Sequence, residues 1–205
     1  DTSDWQSYET ISIGEQCWMA KNLNRGVMID GSVNSTNNGV IEKYCYNNDP
    51  ENCGIYGALY KWDELMDYSI DTASQGICPY GWHIPTDYEW KILEGTVDSQ
   101  FGVGDPVWNN TESRGFDVGK NLKSTAGWNN NGNGADLFDF SAMPGGNYTF
   151  GAYYSFGIQG YWWSSSRLST SSIWVRSFKN NTDQSLRLLQ SRSGNGFSAR
   201  CIYNE

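Results

Sequence analysis

From Gly102 to Gly160 the chain is so rich in Gly, Asn, Asp and aromatic residues that it cannot sustain a long helix. This removes the middle of the chain from any all-helical design. Long irregular segments inside a compact domain are unusual, and they tend to be functional or locally stapled. Beyond Tyr161 alternation returns in Trp174-Val175-Arg176-Ser177-Phe178, in Ser185 to Gln190, and in Phe197 to Tyr203. These runs predict three or four antiparallel strands joined by turns of Asn, Ser and Gly.

Helices are expected earlier. Tyr8 to Ile13 alternates as a strand, and Gly14-Glu15 turns it into the Cys17-Trp18-Met19 segment. Residues 30–54 read as loop, with a short strand near Val40 to Tyr46. From Gly57 to Tyr68, the residues Leu59, Trp62, Leu65 and Met66 recur at helical spacing, with Asp63, Glu64 and Asp67 off that stripe. A second helix opens at Thr86, where Thr86-Asp87-Tyr88-Glu89 has the form of a capping box and Pro85 discourages extension backward. The expected class is α+β: two helices packed on a small twisted antiparallel sheet with long irregular loops, in a single domain over 1–205.

Aromatics are 15% of residues while the whole hydrophobic set is only 38%, so the core is built from few large rings and Tyr and Trp are left for the surface. A net charge of −9 argues against nucleic acid, whose phosphates demand a basic patch. No apolar run approaches the ~20 residues of a membrane span. The chain opens on Asp1-Thr2-Ser3-Asp4 without a secretory leader, the form expected of a trimmed, mature product or of a domain taken out of a longer protein.

The cysteines are Cys17, Cys45, Cys53, Cys78 and Cys201, with no C-x-x-C pair and His83 as the sole histidine, which makes a Cys/His zinc site improbable. Cysteines in a chain rich in Asn, Ser and Gly suit an exported protein with disulfides. Cys45 and Cys53 bracket a short loop and can pair locally. Cys78 with Cys201 would tie the middle of the chain to its end, worth ~4–5 kcal/mol in the chain-entropy model. Cys17 is then left free, although it can compete for Cys45.

A family resemblance rests on motifs spread in order along the chain. They are Ile13-Gly14-Glu15-Gln16-Cys17-Trp18-Met19-Ala20-Lys21-Asn22-Leu23-Asn24, Cys45-Tyr46-Asn47-Asn48-Asp49, Gly76-Ile77-Cys78-Pro79-Tyr80-Gly81-Trp82-His83-Ile84-Pro85-Thr86, Ser141-Ala142-Met143-Pro144-Gly145-Gly146, Gly160-Tyr161-Trp162-Trp163-Ser164-Ser165 and Gly196-Phe197-Ser198-Ala199-Arg200-Cys201. Together they resemble the Fibrobacter succinogenes major paralogous domain. That resemblance implies a C-type-lectin-like fold of the formylglycine-generating-enzyme-like subgroup. It also implies an exported or cell-surface bacterial protein, chiefly of Bacteroidetes and related groups. The same scaffold carries the variable proteins of diversity-generating retroelements, whose hypervariable positions lie in the C-terminal strands, and residues 160–201 look like such a region. The chain departs from the family pattern at Ser185-Leu186-Arg187-Leu188-Leu189-Gln190-Ser191-Arg192. Mixed Leu and Arg on an open strand face suits protein binding; the alternative puts the leucines in the core with the arginines reaching past them.

The resulting expectation is a secreted or cell-surface binding module, an adhesin, with no catalytic activity. Its contact surface would comprise Tyr161, Trp162, Arg167, Leu168, Trp174, Arg176, Lys179, Leu186, Arg187, Leu189, Gln190 and Arg192, with one of Trp162 and Trp163 buried. The ligand would be a protein or glycan on another cell or surface, with no nucleic acid and no membrane span. A calcium-free carbohydrate-binding domain is the alternative, since the Glu-Pro-Asn, Gln-Pro-Asp and Trp-Asn-Asp signatures of calcium-dependent lectins are missing. A formylglycine-generating-type enzyme is less favoured: it needs a reactive cysteine pair, and His83 in its Gly-Trp-His-Ile-Pro turn reads as packed rather than catalytic. Asn129, Asn131, Asn133 and Asp136 offer oxygens at alternate positions that a calcium ion would accept, although Asn-Gly runs also simply make turns.

Overall fold

Each alternating run is soon ended by a turn residue, so the chain folds as many short strands. The computed structural model describes residues 7–204; Asp1 to Gln6, including the Asp1-Thr2-Ser3-Asp4 opening, and Glu205 lie outside the described residues. In chain order, β1 (Thr10–Ile13) and β2 (Gln16–Met19) form a hairpin, and β3 (Val27–Met28) pairs in parallel with β4 (Glu42–Lys43). Helix α1 (Pro50–Tyr56), β5 (Tyr60–Lys61), α2 (Trp62–Leu65) and β6 (Trp82–His83) follow, then α3 (Asp87–Val97), β7 (Glu112–Arg114) and α4 (Val118–Leu122). The later elements are strands: β8 (Asn147–Thr149), β9 (Ala152–Tyr154), β10 (Gln159–Arg167), β11 (Ser172–Lys179), β12 (Ser185–Ser191), β13 (Asn195–Phe197) and β14 (Ile202–Tyr203).

They assemble into sheets ordered β1-β2-β14-β6, β10-β11-β12-β7 and β5-β13-β8-β9, besides the β3-β4 pair. The fold is α+β, with short helices set among small, largely antiparallel sheets. Among the described residues no helix is long and apolar enough to cross a membrane.

The longest helix is the one announced by its cap. In α3, Thr86 Oγ1 accepts from the Glu89 amide at 3.1 Å while the Glu89 carboxylate accepts from the Thr86 amide at 2.7 Å. Two expectations fail nearby. The stripe from Gly57 to Tyr68 yields only the single turn α2, because Tyr60 and Lys61 are drawn into strand pairing with Phe197 and Gly196. Beyond α2, Asp67 and Tyr68 adopt φ of 49° and 58°, which ends the helix. The expected loop over 30–54 contains the start of α1, where Asp49 accepts from the Glu51 amide and Pro50 fills the first helical turn.

The β10-β11-β12 sheet is covered on both faces. Trp163, Ile173 and Val175 face one core cluster with Trp62, Tyr60 and Phe197. Trp162 and Phe178 face the other, with Trp18, Trp90 and Trp108. Trp162 and Trp163 are therefore both buried, where one was expected to be exposed. Their indole N–H groups donate to Asn22 Oδ1 and to the Tyr60 carbonyl, each at 2.8 Å, so neither burial strands a donor.

Cys45 is bonded to Cys53 and Cys78 to Cys201, while Cys17 is a free, half-buried thiol. The bridges close loops with sequence separations of 8 and 123 residues. In the chain-entropy model, replacing Cys78 and Cys201 together by Ser lowers stability by about 5 kcal/mol, and the same change at Cys45 and Cys53 by about 2.5 kcal/mol. Urea titration of the two double variants checks that order.

Candidate functional site

The site is built from behind. Asp87 and Glu94 stand two turns apart on the same face of α3, and Arg176 and Arg187 lie opposite one another on β11 and β12. The two elements meet through charge. Arg176 binds Asp87 Oδ1 through Nη1 at 2.8 Å and both Glu94 oxygens through Nε at 3.1 Å. Arg187 clasps both oxygens of Asp87 at 2.9 and 2.8 Å, and Arg114 from β7 pairs with Glu94. Ser185 Oγ donates to Glu94 at 2.8 Å. Burial pushes the Asp87 carboxyl up, but the bonds from Arg187 and the charge of Arg176 outweigh it and hold it well below the usual carboxylate range.

This network corrects part of the expected contact surface. Arg176 and Arg187 are buried because two carboxylates on α3 neutralise them. Leu186 is buried opposite Ser177, and Trp162 is enclosed by the second core cluster. These four are buried where the contact surface was expected.

The others divide by place. Trp174 and Leu189 are directly opposed on β11 and β12, with the Arg187 guanidinium 3.3 Å over the Trp174 ring. Arg167 is opposed to Ile173 at the same end of the sheet, and Leu168 begins the turn there, its amide bonded to the Ser172 carbonyl. Leu168 is 60% exposed and Leu189 39%, while Arg167 and Trp174 are half-buried. These four lie at one end of the sheet and form its tip, with Trp174 and Leu189 on one face and Arg167 on the opposite face, that of Ile173. Gln190 and Arg192 project to the other face of the sheet, Arg192 pairing with Asp63 above the Trp62 ring. Tyr161 is half-buried on Phe197, 4.9 Å between ring centres. Lys179 closes the far end of β11, about 17 Å along the strand from Trp174 at ~3.3 Å per residue.

The asparagine loop is spent on its own turns. Asn133 Oδ1 accepts from the Trp128 amide at 3.0 Å, and the Asp136 carboxylate accepts from the amide and hydroxyl of Ser141. The Asn129 side chain lies against Gly157, and Asn131 takes φ of 59°. Beside the loop, the Lys123 ammonium donates to the Lys179 and Thr182 carbonyls at 3.0 Å each, so a cation of the chain's own already occupies these oxygens. Among the described residues no cluster of three or more His, Cys, Asp or Glu is placed to hold a metal ion.

His83 is packed as expected, with Nε2 2.8 Å from Glu89 and Nδ1 2.5 Å from Asn204. Burial alone would lower its pKa, but the bond to Glu89 wins and raises it.

A groove of about 650 Å³ was not anticipated. Asn34, Lys61, Tyr148, Phe150, Ser193 and Gly194 line it. A sequence signal for it exists: Phe150-Gly151 sits at a two-residue hairpin tip, where Asn-Gly is the usual choice.

A family model for the Fibrobacter succinogenes major domain matches residues 11–203. The chain belongs to that family. No curated protein and no solved structure matches it. In this Fibrobacter succinogenes major domain, three of the motifs meet at Asn22. Its Oδ1 accepts from Trp162 Nε1 at 2.8 Å and Arg200 Nη2 at 2.9 Å, while its Nδ2 donates to the Tyr56 carbonyl at 2.8 Å. Those motif residues are architecture.

Arg176→Met leaves Glu94 and Asp87 short of a partner in the interior and costs about 3–5 kcal/mol, whereas Leu168→Ser stays within about 0.5 kcal/mol; denaturant titration separates the two. Because the folded pKa of Asp87 is depressed, its contribution is complete above the unfolded value near ~3.9 and is lost as pH falls toward the folded value. Unfolding free energy measured against pH therefore declines below about pH 4, and Arg187→Leu flattens that decline.

Proposed function

We propose that this domain has a C-type-lectin-like fold and serves as an exported or surface-displayed binding module, an adhesin whose C-terminal strands contact a protein or glycan on another cell or surface. One observation carries the reading. The exposed Leu168 and Leu189 and the half-buried Trp174 lie at one end of a sheet whose other parts are enclosed in core and ion pairs. Exposed apolar side chains mark interaction surfaces, and Trp174 and Arg167 at the same end of the sheet are of the residue types enriched in hot spots. The two disulfides support an oxidising, extracytoplasmic setting. Formylglycine-type chemistry finds no support, since Cys45, Cys53, Cys78 and Cys201 are in disulfides and Cys17 is left without a second thiol. Calcium-free sugar binding, the second reading, is favoured by the groove beside Phe150 and is taken up below.

The tip also divides the C-terminal region into positions open to change and positions closed to it. If the region is diversified by a retroelement, variation falls at Leu168, Trp174, Leu189 and Gln190 and spares Trp162, Arg176, Leu186 and Arg187. Deep sequencing of the codons for 160–201 across the source population reads this directly; variation at Arg176 or Arg187 as frequent as at Leu168 would overturn the division. Binding itself is tested with labelled full-length protein on arrays of glycans and bacterial surface proteins and on intact cells. A specific target should be bound about tenfold or more weakly by a Trp174→Ala, Leu189→Ser variant. No saturable target, or one indifferent to those changes, would sink the reading.

A further inference from the structure

We propose that the groove between Phe150 and Lys61 is a metal-independent binding site for a carboxylate-bearing saccharide. It goes beyond the tip-centred reading, since none of the residues that line the groove belongs to the tip.

Phe150 is the first observation. The residue is 80% exposed, and its backbone lies at φ 45°, a region where bulky residues are rare and strained. Stability alone would place Asn there. The amide of Phe150 donates to the Gly194 carbonyl at 2.9 Å, and the ring rests on Gly194 so closely that a Cβ at that position would lie 2.2 Å from it. The β12–β13 turn thus lacks a side chain where the ring lies, and the ring is held in place at the groove wall. An exposed, oriented aromatic is a platform for the apolar face of a pyranose ring.

Lys61 is the second. Its Nζ stands 6.0 Å from the centre of the Tyr148 ring and donates to Asn34 Oδ1 at 2.5 Å. An ammonium has three donors, and no described carboxylate forms an ion pair with this one. Its acidic neighbour Asp63 is engaged by Arg192. Burial makes the charged form of Lys61 harder to hold, with Asp63 offsetting this only in part. In a chain of net charge −9, a half-buried cation whose acidic neighbour Asp63 is shared with Arg192 marks where an anion would be gained.

The remaining walls fix the ligand class. Tyr148, stacked on Tyr44 at 4.2 Å and bonded through its hydroxyl to the Gly31 carbonyl at 2.8 Å, gives a rigid floor. The side chains of Asn34 and Ser193 supply amide and hydroxyl groups matched to sugar hydroxyls. One point charge with no arginine fork suits a single carboxylate better than a phosphate cluster. The volume of about 650 Å³ falls in the range of small-ligand clefts.

Isothermal titration of the full chain tests this with tetragalacturonate, a hyaluronan tetrasaccharide and sialyllactose. The controls are a neutral galactose oligomer, a sulfated heparin fragment and a tetraglutamate peptide. At least one carboxylated sugar is expected to bind below about 1 mM, with affinity cut about tenfold by Phe150→Asn and by Lys61→Met, and untouched by EDTA. Phe150→Asn suits the left-handed turn better than Phe, so an intact circular dichroism spectrum is expected beside the lost affinity. The proposal is overturned if none of the three sugars binds. Neutral sugar, heparin or tetraglutamate binding equally well would overturn it too, the last two showing charge attraction alone. Trp174→Ala leaves saccharide affinity unchanged, so failure of this site and failure of the tip are told apart.

Discussion

The clasp of Arg176 and Arg187 on Asp87 and Glu94 joins α3 to the central sheet, and much of the rest of the molecule is arranged around it. Burying three guanidinium groups with two carboxylates is not an economical way to gain stability, since apolar side chains of like volume often do as well. What ion pairs supply is direction: each guanidinium edge admits its acid in only a few geometries. The helix is thereby set in register against β11 and β12, and the Arg187 plane, stacked on Trp174, carries that register outward to the exposed end of the sheet.

The two candidate surfaces show the same economy of support. At the tip, the buried Arg187 guanidinium lies against the half-buried Trp174 ring. At the groove, a stacked tyrosine pair lies beneath an exposed phenylalanine. In both, the solvent-facing residues are few and the residues that hold them are many, as expected of a scaffold that tolerates change at its contact points.

What could be read from the sequence followed the range of the interactions involved. The cap of α3 was legible because Thr86 and Glu89 lie within one turn of each other. The Cys45–Cys53 disulfide was legible because its residues bracket a short loop, whereas Cys78 and Cys201 are brought together only by the tertiary fold. The stripe from Leu59 to Met66 correctly marked buried residues but not a helix, because Tyr60 finds its strand partner at Phe197, far along the chain. Arg176 and Arg187 read as surface residues since arginine is rarely enclosed, and the acids that enclose them come from an element remote in sequence. Phe150 does not stand out among the many aromatics by composition, and its one signal is local, its place before Gly151 at a hairpin tip.

The position of β14 has a consequence for how the chain reaches this state. It lies between β2 and β6, so the sheet begun near the amino terminus is completed by residues near the carboxyl end. Such a topology is dominated by distant contacts, which slows folding because closure entropy is lost before pairing repays it. That sheet cannot close until β14 is in place, and without it β2 and β6 are left as open edges.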